Sequence, residues 1–256
     1  MTMQSATTKL LAAGLTACFC LTANAHYIWI ERDAKSARLY FGEVAEVRER
    51  SPGRLDEIRA PEVWSPGSVA PLAAVRGKAY FAIAGELKNQ VLARETGYEV
   101  KNWSGIGVVK PMFYARHSVW PLDATPAARH LLDIVPVGRR RDTFQVFFDG
   151  KPLPKAKVNL YAPNDWMQDH QTGADGTVKL LLPWRGQYVL EVIHKEERAG
   201  EFEGRKFDAF RHRAALTVVK SGGIPPKGTG GGASRHAHEP AAPAPKPAVL
   251  PGASAR

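Results

Sequence analysis

Beyond its first 25 residues the chain has no apolar run approaching the roughly 20 residues of a membrane-crossing helix, so no such helix is expected there. Its only two cysteines, Cys18 and Cys20, both lie inside that first stretch, which excludes a disulfide scaffold. It also lacks G-x-S-x-G, H-E-x-x-H, a phosphate loop and G-x-G-x-x-G. The recognisable settings for hydrolytic and nucleotide chemistry are absent with them, and a non-enzymatic protein is expected. Long Ala/Leu/Glu/Lys runs are few, whereas there are 19 prolines and 23 glycines, a balance that points away from a helical bundle. What is present is 256 residues at 44% hydrophobic, too apolar for wholesale disorder and enough for one large domain or two small ones.

The first 25 residues have the order of an export signal. Lys9 opens a basic region, Leu10 to Leu21 is apolar, and Ala23-Asn24-Ala25 is an A-x-A cleavage site. Cleavage there removes both cysteines and makes His26 the first residue of the mature chain. A competing reading takes Leu15-Thr16-Ala17-Cys18 as a lipobox, which would lipidate Cys18 and leave His26 internal. Both readings send the protein to the periplasm or beyond.

After the signal, short runs rich in aromatic and β-branched residues alternate with turns. Tyr27–Ile30, Ala37–Phe41, Ala79–Ile83 and Val108–Tyr114 read as strands. Arg48 to Pro71 reads as loop with one short helix. From Asp142 the pattern sharpens: Thr143–Phe148, the Asp149-Gly150 hairpin turn, Ala156–Tyr161, the Asp175-Gly176 turn, Thr177–Leu182, Gln187–His194 and Phe207–Val219. The expected fold is all-β, with two small antiparallel β-sandwich domains of immunoglobulin-like or transthyretin-like type. The expected boundaries are a signal at 1–25, a first domain at 26–140, a second at 141–220 and a disordered tail at 221–256. That tail is Gly, Pro, Ala and Ser with Arg235-His236-Ala237-His238 embedded, and it offers too little apolar surface to offset its ordering entropy.

Eight histidines remain after residue 25. His26 stands out, because an N-terminal histidine offers an α-amine and an imidazole to one metal ion. A second imidazole would complete a three-nitrogen brace suited to Cu(II). His194 and His212 fall on the last two expected strands with shared parity, so an even register sets them on one face as neighbours. Glu43 is a further carboxylate ligand in this reading. His117 and His130 flank Trp120-Pro121-Leu122 and read as structural, and His170 beside Asp169 reads as exposed. The net charge is +10, or +9 once Lys9 is removed. No basic stripe is interleaved with aromatics, so nucleic acid is not an expected partner.

The start Ala25-His26-Tyr27-Ile28-Trp29-Ile30 and Tyr40-Phe41-Gly42-Glu43 resembles a family of secreted bacterial proteins with a domain of unknown function, often labelled periplasmic components of nickel or cobalt uptake. Gly150-Lys151-Pro152-Leu153, Ala156-Lys157-Val158, Asp175-Gly176 and Gly186-Gln187-Tyr188 are similar to its second-half frame, shared in part with carboxypeptidase-regulatory-like and transthyretin-like sandwiches. His194-Lys195-Glu196 through Arg211-His212 resembles its final hairpin, from which Arg213 departs. The resemblance spans residues 25–219 and implies export, β-sandwich modules and metal handling.

The leading expectation is therefore an exported metal-binding protein acting in uptake or delivery. His26, His194, His212 and Glu43 are its ligands, and copper, nickel or cobalt its ion. Its partner would be an inner- or outer-membrane metal transporter. A non-metal envelope adaptor of β-sandwich type is the alternative, and a copper-dependent oxidative enzyme a minor one.

Overall fold

The computed structural model describes residues 26–226, apart from Lys35 and Ala45. The expected signal, with Cys18 and Cys20, lies outside the described residues, as do His236, His238 and the expected tail from residue 227 onward. The described chain is all-β and sandwich-like, its helical content being a 3-10 turn at Arg54–Glu57. No helix in it is long and apolar enough to cross a membrane.

The strands leading to the middle of the chain are β1 (Tyr27–Arg32), β2 (Ala37–Glu43), β3 (Val47–Arg48), β4 (Glu62–Trp64), β5 (Ala73–Arg76), β6 (Phe81–Ala84), β7 (Gln90–Glu95), β8 (Lys101–Trp103) and β9 (Gly107–Ser118). Then follow β10 (Leu132–Pro136), β11 (Thr143–Phe148), β12 (Lys151–Pro152), β13 (Lys157–Tyr161), β14 (Met167–Gln171) and β15 (Thr177–Lys179). The last are β16 (Gly186–Glu196), β17 (Gly200–Phe202), β18 (Arg205–Phe207) and β19 (Ala209–Lys220). The Asp149-Gly150 turn links β11 to β12 with both residues at positive φ, 50° and 69°, as a two-residue hairpin of primed type requires.

These strands make three layers. An outer sheet runs β1-β2-β6-β5, with β3 beside β2. The central sheet has eight strands in the order β14-β13-β16-β19-β9-β7-β4, with β8 beside β9. A third sheet runs β10-β11-β12, with β15 beside β11. Because side chains alternate along a strand, the central sheet serves two cores. Val91, Phe113, Ala115, Val189 and Ala215 pack against Ile28, Leu39 and Phe41 of the outer sheet. Tyr114, Leu160, Tyr188, Leu190 and Leu216 pack on the other face against Ile134, Phe144 and Val146.

The expected division at residue 140 does not separate the sheets. β9 and β19, one from each side of it, pair in parallel over Val109–Ser118 and Ala209–Val218. The central sheet is therefore mixed and common to both halves. Local turn spacing cannot reveal a pairing between residues about a hundred positions apart.

Burying both faces forces charged residues inside, where each needs a partner. Arg116 on β9 and Asp133 on β10 are each 1% exposed and form a two-bond fork, Nε–Oδ1 3.0 Å and Nη2–Oδ2 2.5 Å. Gln90 and the Ala127 carbonyl take the remaining guanidinium donors, and the Arg129 and His130 amides donate to Asp133. Asp133→Ala strands a buried guanidinium, and we expect it to cost about 3–5 kcal/mol in urea unfolding. The double variant Arg116→Met/Asp133→Leu should recover most of that loss.

Candidate functional site

His26 immediately precedes β1 on the chain. The β1–β2 register sets Tyr27 opposite Gly42, and this carries His26 to Glu43. The β2–β3 turn then folds tightly back, with Glu46 N–H donating to the Glu43 carbonyl at 3.1 Å and Glu49 N–H to the Phe41 carbonyl at 2.9 Å. Gly42 makes this turn feasible: its φ is +141°, and a Cβ there would run into the Val47 carbonyl. The 3-10 turn that follows presents Arg54 to the same place. Its start is held by Asp56, which accepts from Gly53 N–H at 2.9 Å and Ser51 Oγ at 2.7 Å.

Around the His26 ring the two nitrogens meet different surroundings. Nε2 lies 2.5 Å from Glu49 Oε1, a distance that needs the proton on Nε2. Arg54 Nη1 sits 3.2 Å from the same nitrogen and, having only protons to offer, cannot bond to it in that tautomer. Nδ1 is buried with no hydrogen-bond partner and lies 3.3 Å from Glu43 Oε1. A lone pair facing a carboxylate oxygen is repulsive unless a proton or a metal cation stands between them. Glu43 is itself under pressure to take up positive charge: burial first, and then the neighbouring Glu46 carboxylate, hold its carboxyl above the usual range.

The geometry around Nδ1 suits a metal. With bonds of about 2.0–2.2 Å to nitrogen and oxygen, donors separated by 3.3 Å subtend an angle of roughly 100° at the ion. A carboxylate on the far nitrogen is the usual second partner of a metal-bound imidazole, fixing its tautomer. Among the described residues, no group of three or more His, Cys, Asp or Glu is arranged to hold a metal ion. The ring nitrogens point apart, so Glu43 and Glu49 cannot serve one ion through the same histidine.

His194 and His212 stand directly opposite each other on β16 and β19, as their parity suggests, but they do not complete a site with His26. They project to the face of the third sheet, where His194 packs on Phe148 and His212 stacks with Tyr114. On the opposite face of the same strands, Arg213 donates to the His26 carbonyl at 3.3 Å. His212 is also saturated, with Tyr114 Oη 3.1 Å from Nδ1 and Glu196 2.9 Å from Nε2. Burial pushes its imidazole below the ordinary value, as expected of a neutral core histidine. The structure thus unites His26 with Glu43 and separates both from the His194–His212 pair. Glu46, Glu49 and Arg54 are the neighbours that sequence reading missed. Their spacing after Gly42 was visible, but the tight turn was not.

The remaining histidines are placed by packing. His170, expected in an exposed loop, lies half-buried on edge strand β14, 3.0 Å from Gln168 Oε1. His117 and His130, read from the sequence as structural, are buried.

With the geometry in view, residues 121–196 match a protein family. The match is to a domain of unknown function, DUF4198. No curated protein and no solved structure matches the chain. The DUF4198 segment runs from before β10 to the end of β16 and includes His130, His170, His194, Glu191 and Glu196. It contains neither His26 nor Glu43, nor β9 and β19 that join the halves.

Burial, reinforced by Arg32, pulls His117 from 6.5 to about 4, and burial does the same to His130 against the opposing pull of Asp133. Unfolding restores their ordinary value, so below pH 6.5 the unfolded chain takes up protons that the folded chain refuses. Their contribution to stability is complete above pH 6.5 and is lost as pH falls towards 4. Denaturant unfolding at pH 7 and pH 4.5 should show a loss of about 2 kcal/mol per histidine, and His117→Gln should remove one such share.

Proposed function

We propose that this protein binds one divalent transition-metal ion at His26 in the cell envelope and carries it for uptake or delivery. The observation that supports this best is the buried, unpartnered Nδ1 of His26, 3.3 Å from Glu43. Two side-chain donors hold a metal poorly, and a third would come from the α-amine that cleavage after Ala25 exposes. An α-amine near pKa 8 yields its proton readily to a metal. The resulting set of amine, imidazole and carboxylate is of mixed nitrogen and oxygen character, which suits nickel, cobalt and copper alike, with copper held tightest. His194 and His212 have no place in this set. The nickel or cobalt label of the resembling family agrees with the reading, and a membrane metal transporter is the partner class that delivery requires. The role is that of a carrier rather than an enzyme.

The test is mass spectrometry of exported protein followed by metal titration of the same sample. The expected mass begins at His26, with submicromolar nickel or copper affinity. His26→Ala should weaken binding more than 100-fold, and Glu49→Gln by about 10–100-fold, as for other outer partners of a ligand histidine. His194→Ala should change it less than about twofold, because that ring touches neither Glu43 nor Glu49. A chain beginning at His26 that binds no metal, or binds it equally well as His26→Ala, overturns the reading.

One observation favours the adaptor reading. Trp166 (44% exposed), its neighbour Met167 and Ile224 are exposed apolar side chains around Trp184. There Trp166 meets Trp184 edge-on at 5.3 Å, and Ile224 bridges to Trp184. Clustered exposed apolar side chains mark contact surfaces. Under that reading, Trp166→Ser/Ile224→Ser abolishes co-purification with an envelope partner and leaves metal affinity unchanged.

A further inference from the structure

Two positions before Arg213, on the same face of β19, lies Arg211. It is 8% exposed, yet it makes no hydrogen bond and no ion pair among the described residues. Its one packing partner of note is the Trp103 ring, whose centroid is 5.3 Å from the guanidinium carbon. The acidic group that acts on it, Glu191, is fully committed elsewhere. Glu191 is buried and accepts from Arg213 Nε, from Asn159 Nδ2 at 3.1 Å and from Tyr161 Oη at 3.1 Å. Glu191 is thus bonded to Arg213, and no carboxylate is bonded to Arg211. Burial and the adjacent Arg213 accordingly pull Arg211 down to about 10. The side chain is packed on Trp103 while its nitrogens are not sealed from solvent, and an unpaired guanidinium offers two parallel N–H donors suited to a carboxylate or other oxyanion.

Two routes connect this guanidinium to His26. Arg213, near enough to act on Arg211 electrostatically, donates to the His26 carbonyl. Strand β8, which carries Trp103, also carries Lys101, which pairs with Glu57 at 3.0 Å, and Glu57 lies 3.6 Å from Arg54. Arg54 in turn lies against His26.

We propose that Arg211, stacked on Trp103, receives a small oxyanion of the carboxylate, carbonate or phosphate class that accompanies the metal ion at His26. The pairing with a metal rests on the carrier reading given above, whereas the oxyanion site does not. The metal is then taken up with an anion beside it, and each increases the affinity for the other.

The experiment follows tryptophan fluorescence while exported full-length protein is titrated with acetate, bicarbonate or inorganic phosphate at constant ionic strength, without and with saturating nickel. Saturable binding is expected for wild type. Arg211→Gln should weaken it at least tenfold, and Arg211→Lys, which keeps the charge, less. Trp103→Phe should lose the optical signal while calorimetry still detects binding. Nickel should tighten oxyanion binding about fivefold or more. Circular dichroism checks the fold of each variant, and if Arg211→Gln does not fold, the graded loss in Arg211→Lys decides. The same response in wild type and Arg211→Gln, or no response in either, overturns the proposal. An intact oxyanion response that bound nickel leaves unchanged overturns the pairing with the metal. If nickel does not bind at all while the Arg211-dependent response persists, the carrier reading fails and the oxyanion site stands.

Discussion

The parallel pairing of β9 with β19 is the constraint on which the rest of the structure depends. It fuses strands from both halves into one sheet and places that sheet between two others. A sheet covered on both faces has no solvent side on which to place charge. Arg116, Arg211, His212 and Arg213 are each at most 8% exposed. Each must find a partner inside or carry an unpaid desolvation cost. The Arg116–Asp133 fork does so on the face of the third sheet. Glu191 and Arg213 do so on the face of the outer sheet.

Where this compensation is complete, the residue is architecture. His212, bonded at both nitrogens, belongs there despite being a histidine on a strand opposite another histidine. Where it is incomplete, the structure has unused binding capacity. His26 Nδ1 and the Arg211 guanidinium are two such groups, and Arg213, two residues from Arg211 on β19, reaches the His26 carbonyl. Residue type alone does not distinguish His26 from His212. The free nitrogen of His26 does, and the Glu43 carboxylate facing it separates His26 in turn from His117, whose ring nitrogens are also buried without partners.

The strands were largely legible in the sequence because their signals are local. Thr143–Phe148 was expected and is found with the same bounds, and the Asp149-Gly150 turn follows from its two residues. The parity of positions 194 and 212 also gave their shared face, because side-chain direction has period two. Three features were not legible. The β9–β19 pairing depends on long-range topology, and the β17–β18 hairpin lies in the polar stretch between the last two expected strands. Whether His26 meets His194 depends on which face of the central sheet β1 covers. Parity relates residues within a sheet but says nothing about the layer above it. Glu49 was hidden for a similar reason, since only the reversal after Gly42 brings it back to His26.

Charge balance around His26 adds a final argument. Glu43 and Glu49 flank the His26 ring, Glu46 acts on Glu43, and Arg54 lies 3.7 Å from Glu49. Glu57 is answered separately by Lys101 at 3.0 Å. Three carboxylates here meet one close guanidinium, with Arg213 also acting on Glu43, and the excess is negative, as a cation site requires. Next to it Arg213 is tied to Glu191 and also acts on Glu43, while no carboxylate is bonded to Arg211. Its complement is an oxyanion. A brace built only from nitrogen donors would hold a divalent ion with its charge uncompensated. A carboxylate in the donor set lowers that charge at its source, and this favours binding in a partly buried position where water cannot screen it.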